Sequence, residues 1–343
     1  MSSIPEKGGI ETVKEKIEDY TSTIHAIFSF IILTTRDNEG KTLSNAKFTL
    51  GRKMDTSSKN KISPENKITP DAVIQTFPAL GYVVEAKKSL PNNTMDWDKY
   101  IQQLQKYDDD LVGWWTQNEK LSNHSIVLLI EIARGVEFSD YLNQYLLRNN
   151  ESFKKMFSIV EFNRADENKH YYFLRTQKGN INGDDLRETL RIGKKINREN
   201  ILASYGYRKF YDTEPEPEFT MQVIWMDIFN GMKNDYIYDE TMKAYVFEID
   251  LMNITEELQK LYGSTGMNHR EPQFPKKAWV KRAIEGFVCL GLAEYKANDT
   301  YRIFYKDFKS DILEKFYKHR LQDSKLARTK TKQLSFLEIN QEE

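Results

Sequence analysis

The chain has 343 residues, and 50 Lys and Arg against 51 Asp and Glu leave a formal net charge of -1. Hydrophobic residues make up 39% of it and aromatic residues 13%, which excludes a disordered protein. One cysteine, Cys289, excludes a disulfide framework and a cysteine-rich zinc site, and the balanced charge means that any nucleic-acid contact depends on a local basic face.

The N-terminal sequence lacks the basic start and apolar stretch of a signal peptide. The longest apolar run, Ile24 to Leu33, is too short to span a bilayer. We therefore expect a cytoplasmic protein with no membrane segment. The sequence contains no phosphate loop, no G-x-G-x-x-G and no nucleophile elbow, so we expect no nucleotide cofactor.

The first half of the chain alternates helical and strand patterns. Apolar residues three or four apart predict an amphipathic helix over residues 10–31. The polar stretch from Arg52 to Lys67 predicts a surface loop. The elements predicted after it are a hairpin of strands 71–77 and 81–87, a helix over 98–112, a buried strand over 125–132, a helix over 141–147, and strands at 157–162 and 171–175. This order predicts an α/β core.

The second half is predicted to be a separate unit. Residues 180–210 look helical and charged, and Glu214-Pro-Glu-Pro-Glu218 cannot continue a helix. After them we predict a helix over 221–232, a helix that Asn253 caps, a helix from Pro275 to Leu290, a hairpin over 293–305 with an Asn-Asp turn, and a helix over 312–321. This order is typical of a winged helix-turn-helix. The predicted domains are 1–178, a helical linker at 179–218, a winged-helix-like domain at 219–321 and a flexible tail at 322–343.

An acid followed two residues later by Lys is common in a sequence this charged, so the pattern alone carries no information. Glu85-Ala-Lys87 differs because it ends a predicted buried strand, where alternation points both side chains to one side of the sheet. Asp71 opens the neighbouring strand, so pairing would bring Asp71 and Glu85 to one sheet edge. Two carboxylates there could hold a divalent cation, with Lys87 orienting or deprotonating an attacking water.

Pro70-Asp71 followed by Glu85-Ala-Lys87 resembles the PD-(D/E)xK nuclease superfamily, whose restriction-endonuclease-like core is a mixed sheet flanked by helices. The next helix carries Gln103-Leu-Gln-Lys-Tyr107, which is similar to the Q-x-x-x-Y motif of the RecB-like branches. The resemblance covers roughly residues 10–175. It implies hydrolysis of nucleic acid with Mg²⁺, for which Mn²⁺ can substitute, Asp71 and Glu85 as metal ligands, and Lys87 and Gln103 as further active-site residues.

Two points stay open at this stage. Many members of the superfamily also have an acidic residue on the first helix, and spacing does not choose among Glu11, Glu15 and Glu18. The alternative for the motif is structural. In that case Asp71 is a turn acid, Glu85 and Lys87 form an ion pair, and the side chains of the Q-x-x-x-Y segment face solvent and core.

Basic residues on the presumed recognition helix and wing are the predicted DNA contacts, namely Lys276, Lys277, Lys281, Arg282 and Arg302. The alternative is a solvated face on a protein-docking unit. The tail peptide Gln333-Leu-Ser-Phe-Leu resembles peptides that bind sliding clamps, or it packs on the protein or a second chain. Trp114 and Trp115 are candidates for base stacking or for packing.

The sequence thus predicts a metal-dependent deoxyribonuclease that acts in restriction, antiviral defence or repair. An endonuclease is the favoured form of this prediction. Its partner is DNA, and a homodimer would allow both strands to be cut. The alternative is a non-catalytic DNA-binding regulator, or a scaffold subunit, whose α/β domain is silent.

Overall fold

A computed structural model describes the chain except for residues 1–3, 37–40, 42, 44–45, 57–66, 77–79, 88–93, 117–119, 122, 166–170, 206–207, 267, 307–313 and 316–343. The described residues form two compact units. The large unit comprises Asp19–Thr213 and Lys260–Phe274, and the small unit comprises the other described residues. No helix among the described residues is long and apolar enough to cross a membrane.

The chain up to residue 213 alternates helices and strands. In order, these elements are α1 (Ile4–Thr35), β1 (Lys47–Leu50), β2 (Met54–Thr56), β3 (Lys67–Ile68), β4 (Ala72–Thr76), β5 (Leu80–Lys87), α2 (Thr94–Lys106), β6 (Leu111–Val112), β7 (His124–Glu131), α3 (Ile132–Asn149), β8 (Met156–Ala165), β9 (Tyr171–Gly179), α4 (Asp184–Ile192), β10 (Lys194–Asn197) and α5 (Arg198–Tyr205).

Seven of these strands form one mixed sheet, in the order β1-β4-β5-β7-β8-β9-β10. β4 and β5 are the predicted antiparallel hairpin, and β5, β7 and β8 run parallel. On one face α1 packs its Phe30 edge-to-face on Tyr82. On the other, Ile101 of α2 and Phe138 of α3 share a buried cluster with Leu128 of the sheet. The prediction of an α/β fold with a mixed sheet flanked by helices is confirmed.

Part of the polar stretch from Arg52 to Lys67, predicted to be a loop, is a strand. Met54–Thr56 pairs with β3 and β6 because Met54 is fully buried and anchors it. The helix predicted over 98–112 ends at Lys106, since Leu111–Val112 joins the same small sheet. Leu111 and Val112, which the sequence pattern had assigned to the apolar side of the helix, are therefore strand residues.

The segment 179–218 differs from the predicted helical linker. It contains α4, β10 and α5, and β10 pairs with β9 to form the edge of the large sheet. Ile196 is buried, while its neighbours in Lys194–Asn197 are exposed. An edge strand with one buried side chain has no alternating apolar pattern for a sequence search to find.

From residue 217 onward the elements are α6 (Pro217–Val223), a π-helical segment (Ile224–Phe229), α7 (Asn230–Met232), a 3₁₀ turn (Lys233–Asp235), β11 (Tyr238–Asp239), β12 (Ala244–Asp250), α8 (Leu251–Tyr262), β13 (Ser264–Thr265), β14 (Gln273–Phe274), α9 (Lys277–Cys289), β15 (Ala293–Ala297) and β16 (Thr300–Tyr305). β13 and β14 belong to the large unit. The small unit has a sheet in the order β11-β12-β16-β15, of which β11 and β12 were not predicted.

Two local predictions for the small unit have opposite outcomes. The Asn-Asp hairpin turn is confirmed, with Asn298 and Asp299 at φ 50° and 59°. The cap at Asn253 is wrong, because the Asp250 carboxylate accepts the N–H groups of Met252 and Asn253 at 2.8 and 3.0 Å. The final helix and the tail peptide lie outside the described residues, apart from two helical residues at 314–315.

Candidate active site

The hairpin of β4 and β5 brings Asp71 and Glu85 to one sheet edge. Ala72 pairs with Val84, so the next residue outward, Asp71, meets the end of β5. Its Oδ2 accepts the backbone N–H of Ala86 at 2.8 Å. Asp71 is partly buried and Glu85 is 4% exposed. Two carboxylates are therefore held together in a poorly solvated corner of the fold.

Lys87 lies on the same side of β5 as Glu85, as strand alternation requires. Its Nζ donates to Glu85 Oε1 at 2.7 Å and lies 5.3 Å from the centroid of the Tyr100 ring. The Lys87 side chain is 23% exposed, so it is the most accessible of the contacts that Glu85 makes here. The structure thus brings the three predicted residues of the motif into one cluster.

The Q-x-x-x-Y segment of α2 joins the cluster through a chain of hydrogen bonds. Gln103 Nε2 donates to the Tyr107 hydroxyl at 2.8 Å, and that hydroxyl donates to Glu85 Oε2 at 2.9 Å. His124 Nε2 donates to the backbone oxygen of Tyr107 at 2.8 Å. Because a carbonyl only accepts, this contact fixes the proton on Nε2. Gln103 therefore reaches Glu85 through Tyr107.

Burial and the charges of the cluster raise the pKa values of both Asp71 and Lys87. Burial and the neighbouring Glu85 raise the pKa of Asp71 from 3.8 to about 7, against the lowering effect of Lys87. Burial lowers the pKa of Lys87, but the carboxylates of Asp71 and Glu85 outweigh it and raise that pKa overall. Lys87 is thus protonated at neutral pH, which favours orienting water over deprotonating it.

Sequence reasoning missed the residues that approach from the segment after α5. Burial and the Asp71 charge raise the pKa of Tyr211, whose backbone N–H donates to the Tyr20 hydroxyl at 3.2 Å. The charge of Asp212 acts on Asp71. A Cβ on Gly51, which donates to the Asp71 carbonyl at 3.0 Å, would lie 2.6 Å from Asp212 Cβ. Position 51 therefore requires glycine, but nothing in the sequence around Gly51 indicates that it lies next to the candidate site.

The choice among the helix-1 glutamates stays open. Glu15 and Glu18 are exposed and belong to the small unit, and the side chain of Glu11 lies outside the description. Within the described ranges, no three His, Cys, Asp or Glu side chains form a group able to hold a metal ion. A cation on Asp71 and Glu85 would take its other ligands from water or phosphate oxygens, as Mg²⁺ commonly does.

Comparisons with known proteins add no further evidence. No protein-family model, curated protein or solved structure matches this chain. The residues of the site are therefore the basis for assigning a function.

Three of the five predicted DNA contacts are engaged in ion pairs of the small unit. Lys277 pairs with Asp299 at 2.7 Å, Arg282 pairs with Glu214, and Arg302 pairs with Glu248 at 3.5 Å. Lys276 lies over the Trp279 ring, and Lys281 is exposed on α9. Exposed ion pairs are weak, so a phosphate could displace these carboxylates.

The tryptophan pair is explained by packing. Trp114 is 1% exposed and its ring contacts His124, with centroids 5.7 Å apart. The Arg52 guanidinium lies 4.0 Å from the centroid of the Trp115 ring. Trp114 is thus too deeply buried to stack on bases.

Proposed function

We propose that this chain is a metal-dependent nuclease that hydrolyses DNA phosphodiester bonds. The observation that carries the proposal is the convergence of Asp71, Glu85 and Lys87 at one sheet edge, with Gln103 and Tyr107 bonded into Glu85. Acidic and lysine side chains that were merely solvated at a surface would not need to be joined by such a network of hydrogen bonds. The mixed sheet flanked by helices suits the restriction-endonuclease-like core that the sequence resembles.

The donor set fits a hard divalent cation. Asp71 and Glu85 offer carboxylate oxygens, and one ammonium group stands against two carboxylates. Burial and the charge of Glu85 raise the pKa of Asp71 despite the lowering effect of Lys87. Asp71 and Glu85 would hold Mg²⁺ or Mn²⁺. The bound ion would supply positive charge to the scissile phosphate and lower the pKa of a water molecule.

The other residues of the site orient the reacting groups and the Glu85 carboxylate. Protonated Lys87 donates a hydrogen bond to the attacking water or to a phosphate oxygen, and it also neutralises charge that develops there. Tyr107 holds Glu85 by one oxygen and Lys87 holds it by the other, so the carboxylate cannot rotate away. Gln103 in turn fixes the Tyr107 hydroxyl.

The test is cleavage of plasmid and linear DNA by the purified chain with Mg²⁺ or Mn²⁺, with and without a chelator. We expect products that require the ion and that disappear in Asp71→Asn and Glu85→Gln. Asp110→Asn, a change in an exposed acid of the same unit, is the matched control and should cut normally. Equal activity of Asp71→Asn and wild type would refute the assignment.

For the small unit we propose a winged-helix-like DNA-binding role that positions the nuclease. Its order of helix, strand, two helices and a hairpin supports this proposal. Charge removal at Lys276, Lys277, Lys281 and Arg282 should reduce the slope of log affinity against log salt. The same changes at Lys106 and Lys154, which are exposed lysines of the large unit, should not.

The ion pairs of this basic surface also favour a second candidate, in which the small unit docks on protein. An unchanged salt slope in the charge-removed variant would select it. If, in addition, no ion-dependent cleavage occurs, the chain is a regulator or scaffold subunit with a silent α/β unit. A nuclease of this kind would act on DNA in the cytoplasm, in defence or repair, and dimerisation would pair two sites for double-strand cleavage.

A further inference from the structure

A row of paired positions crosses the large sheet from the candidate active site toward its far edge. The strand register places Lys87 opposite Ile130, Ile130 opposite Glu161, and Glu161 opposite Arg175. Side chains at paired positions share a face, so Arg175 lies on the face of Lys87, three strands away. At about 4.8 Å per strand, their backbone positions are about 14 Å apart.

The buried carboxylate of Glu161 pairs with the guanidinium group of Arg175. Glu161 is 2% exposed, and its Oε2 accepts from Arg175 Nη2 at 3.3 Å, while the Arg175 side chain is 44% exposed. A Cβ at position 135 would clash with the glutamate, so Gly135 of α3 makes room for it. An arginine that only neutralised Glu161 would gain by bonding both oxygens. Here one nitrogen is tethered and the guanidinium extends to solvent.

The neighbouring side chains on this face suit a nucleic-acid backbone. Phe173 is two residues from Arg175 on β9 and therefore shares its face, and Lys195 of β10 pairs with Phe173. Lys195 is exposed, and the Phe173 ring lies against Gly193. Two basic groups beside an aromatic ring are the composition that contacts phosphates and bases.

We propose that Arg175, together with Lys195, is a backbone guide that contacts phosphates of the DNA strand leaving the active site. The 14 Å offset corresponds to about four base-pair steps of 3.4 Å. The guide would therefore contact the substrate about four nucleotides from the bond that is cut. This inference rests on the proposed nuclease function and adds to it where the substrate lies.

The test is the salt dependence of binding to a labelled DNA duplex by the full chain in a chelator, where no cleavage occurs. Arg175→Gln should lower the slope of log affinity against log salt by about 0.7–0.9, the value of one phosphate contact. Arg175→Lys should keep most of the slope. Arg187→Gln is the matched control, because Arg187 is also 44% exposed and pairs with Asp184 at 3.0 Å.

Loss of Arg175 leaves Glu161 as a buried, unpaired carboxylate, so Arg175→Gln can be destabilised. The double variant Glu161→Gln, Arg175→Gln removes both charges and should show the same loss of slope while it melts as a folded protein. An unchanged slope in the folded double variant would overturn the proposal and leave a structural ion pair. Binding is measured without cleavage, so this result is independent of whether Asp71→Asn abolishes cutting, which tests the nuclease function itself.

Discussion

Asp71→Asn should stabilise the fold while it removes activity. In the wild-type protein the pKa of Asp71 is raised from 3.8 to about 7 by burial and by Glu85. At about 1.4 kcal/mol per pKa unit, holding this carboxylate ionised costs about 4 kcal/mol at pH 8. Part of that cost belongs to the pair with Glu85, so we expect the free energy of unfolding to rise by about 1–4 kcal/mol in the variant. The asparagine oxygen can still accept the Ala86 N–H.

The pH dependence gives the sign of the effect. A folded-state pKa above the unfolded one means that stability is lost as pH rises from about 4 to about 7. The advantage of Asp71→Asn should therefore be near zero at pH 4, grow to pH 7 and then stay level. Mg²⁺ should raise the melting temperature of the wild type and not of the variant.

The assay is denaturant unfolding in a chelator at several pH values, together with thermal melting with and without Mg²⁺. Asp110→Asn is the control of opposite sign, because the contact with Lys155 lowers the pKa of Asp110. A variant Asp71→Asn that is less stable than wild type at pH 8 would refute the claim that the cluster carries excess negative charge.

Three further variants test the site and its support. Lys87→Ala should slow single-turnover cleavage at saturating Mg²⁺ by about 10²–10⁴-fold with little change in DNA affinity, and a wild-type rate would make Glu85-Ala-Lys87 a structural ion pair. Tyr107→Phe should lower the free energy of unfolding by about 1–2 kcal/mol and reduce cleavage, because Glu85 loses one of its two side-chain hydrogen bonds. Burial lowers the pKa of His25 from 6.5 to about 4, so the wild type should lose up to about 3 kcal/mol of stability between pH 6.5 and 4, and His25→Gln should lack this loss in the same unfolding series.

The sequence predicted those contacts that depend on the pattern of a short stretch of the chain. The hairpin of β4 and β5 follows from two apolar runs separated by a turn, and its pairing is enough to bring Asp71 to Glu85. The i, i+4 spacing of Gln103 and Tyr107 places both on one side of α2, where they bond each other. These contacts join neighbouring elements of the chain.

Contacts between distant segments had no such pattern. Asp212 acts on Asp71 from 141 positions away, and β10 joins the sheet through a single buried side chain, Ile196. The alignment of Lys87 and Arg175 in one row across the sheet depends on the register of four strands. The sequence of any single strand does not reveal it. Sequence reasoning therefore found the centre of the candidate site and missed its surroundings.

The large unit is not a continuous stretch of the chain, and this has a consequence for dissecting the protein. Residues Lys260–Phe274 return to it after the chain has entered the small unit. Arg270 bonds Asp55 at 2.8 Å, and its carbonyl accepts the N–H of Lys53 at 2.8 Å. A fragment that stops near residue 218 would lose these bonds to Asp55 of β2 and to Lys53. To make the large unit alone, residues 19–213 and 260–274 would therefore have to be joined by a new linker.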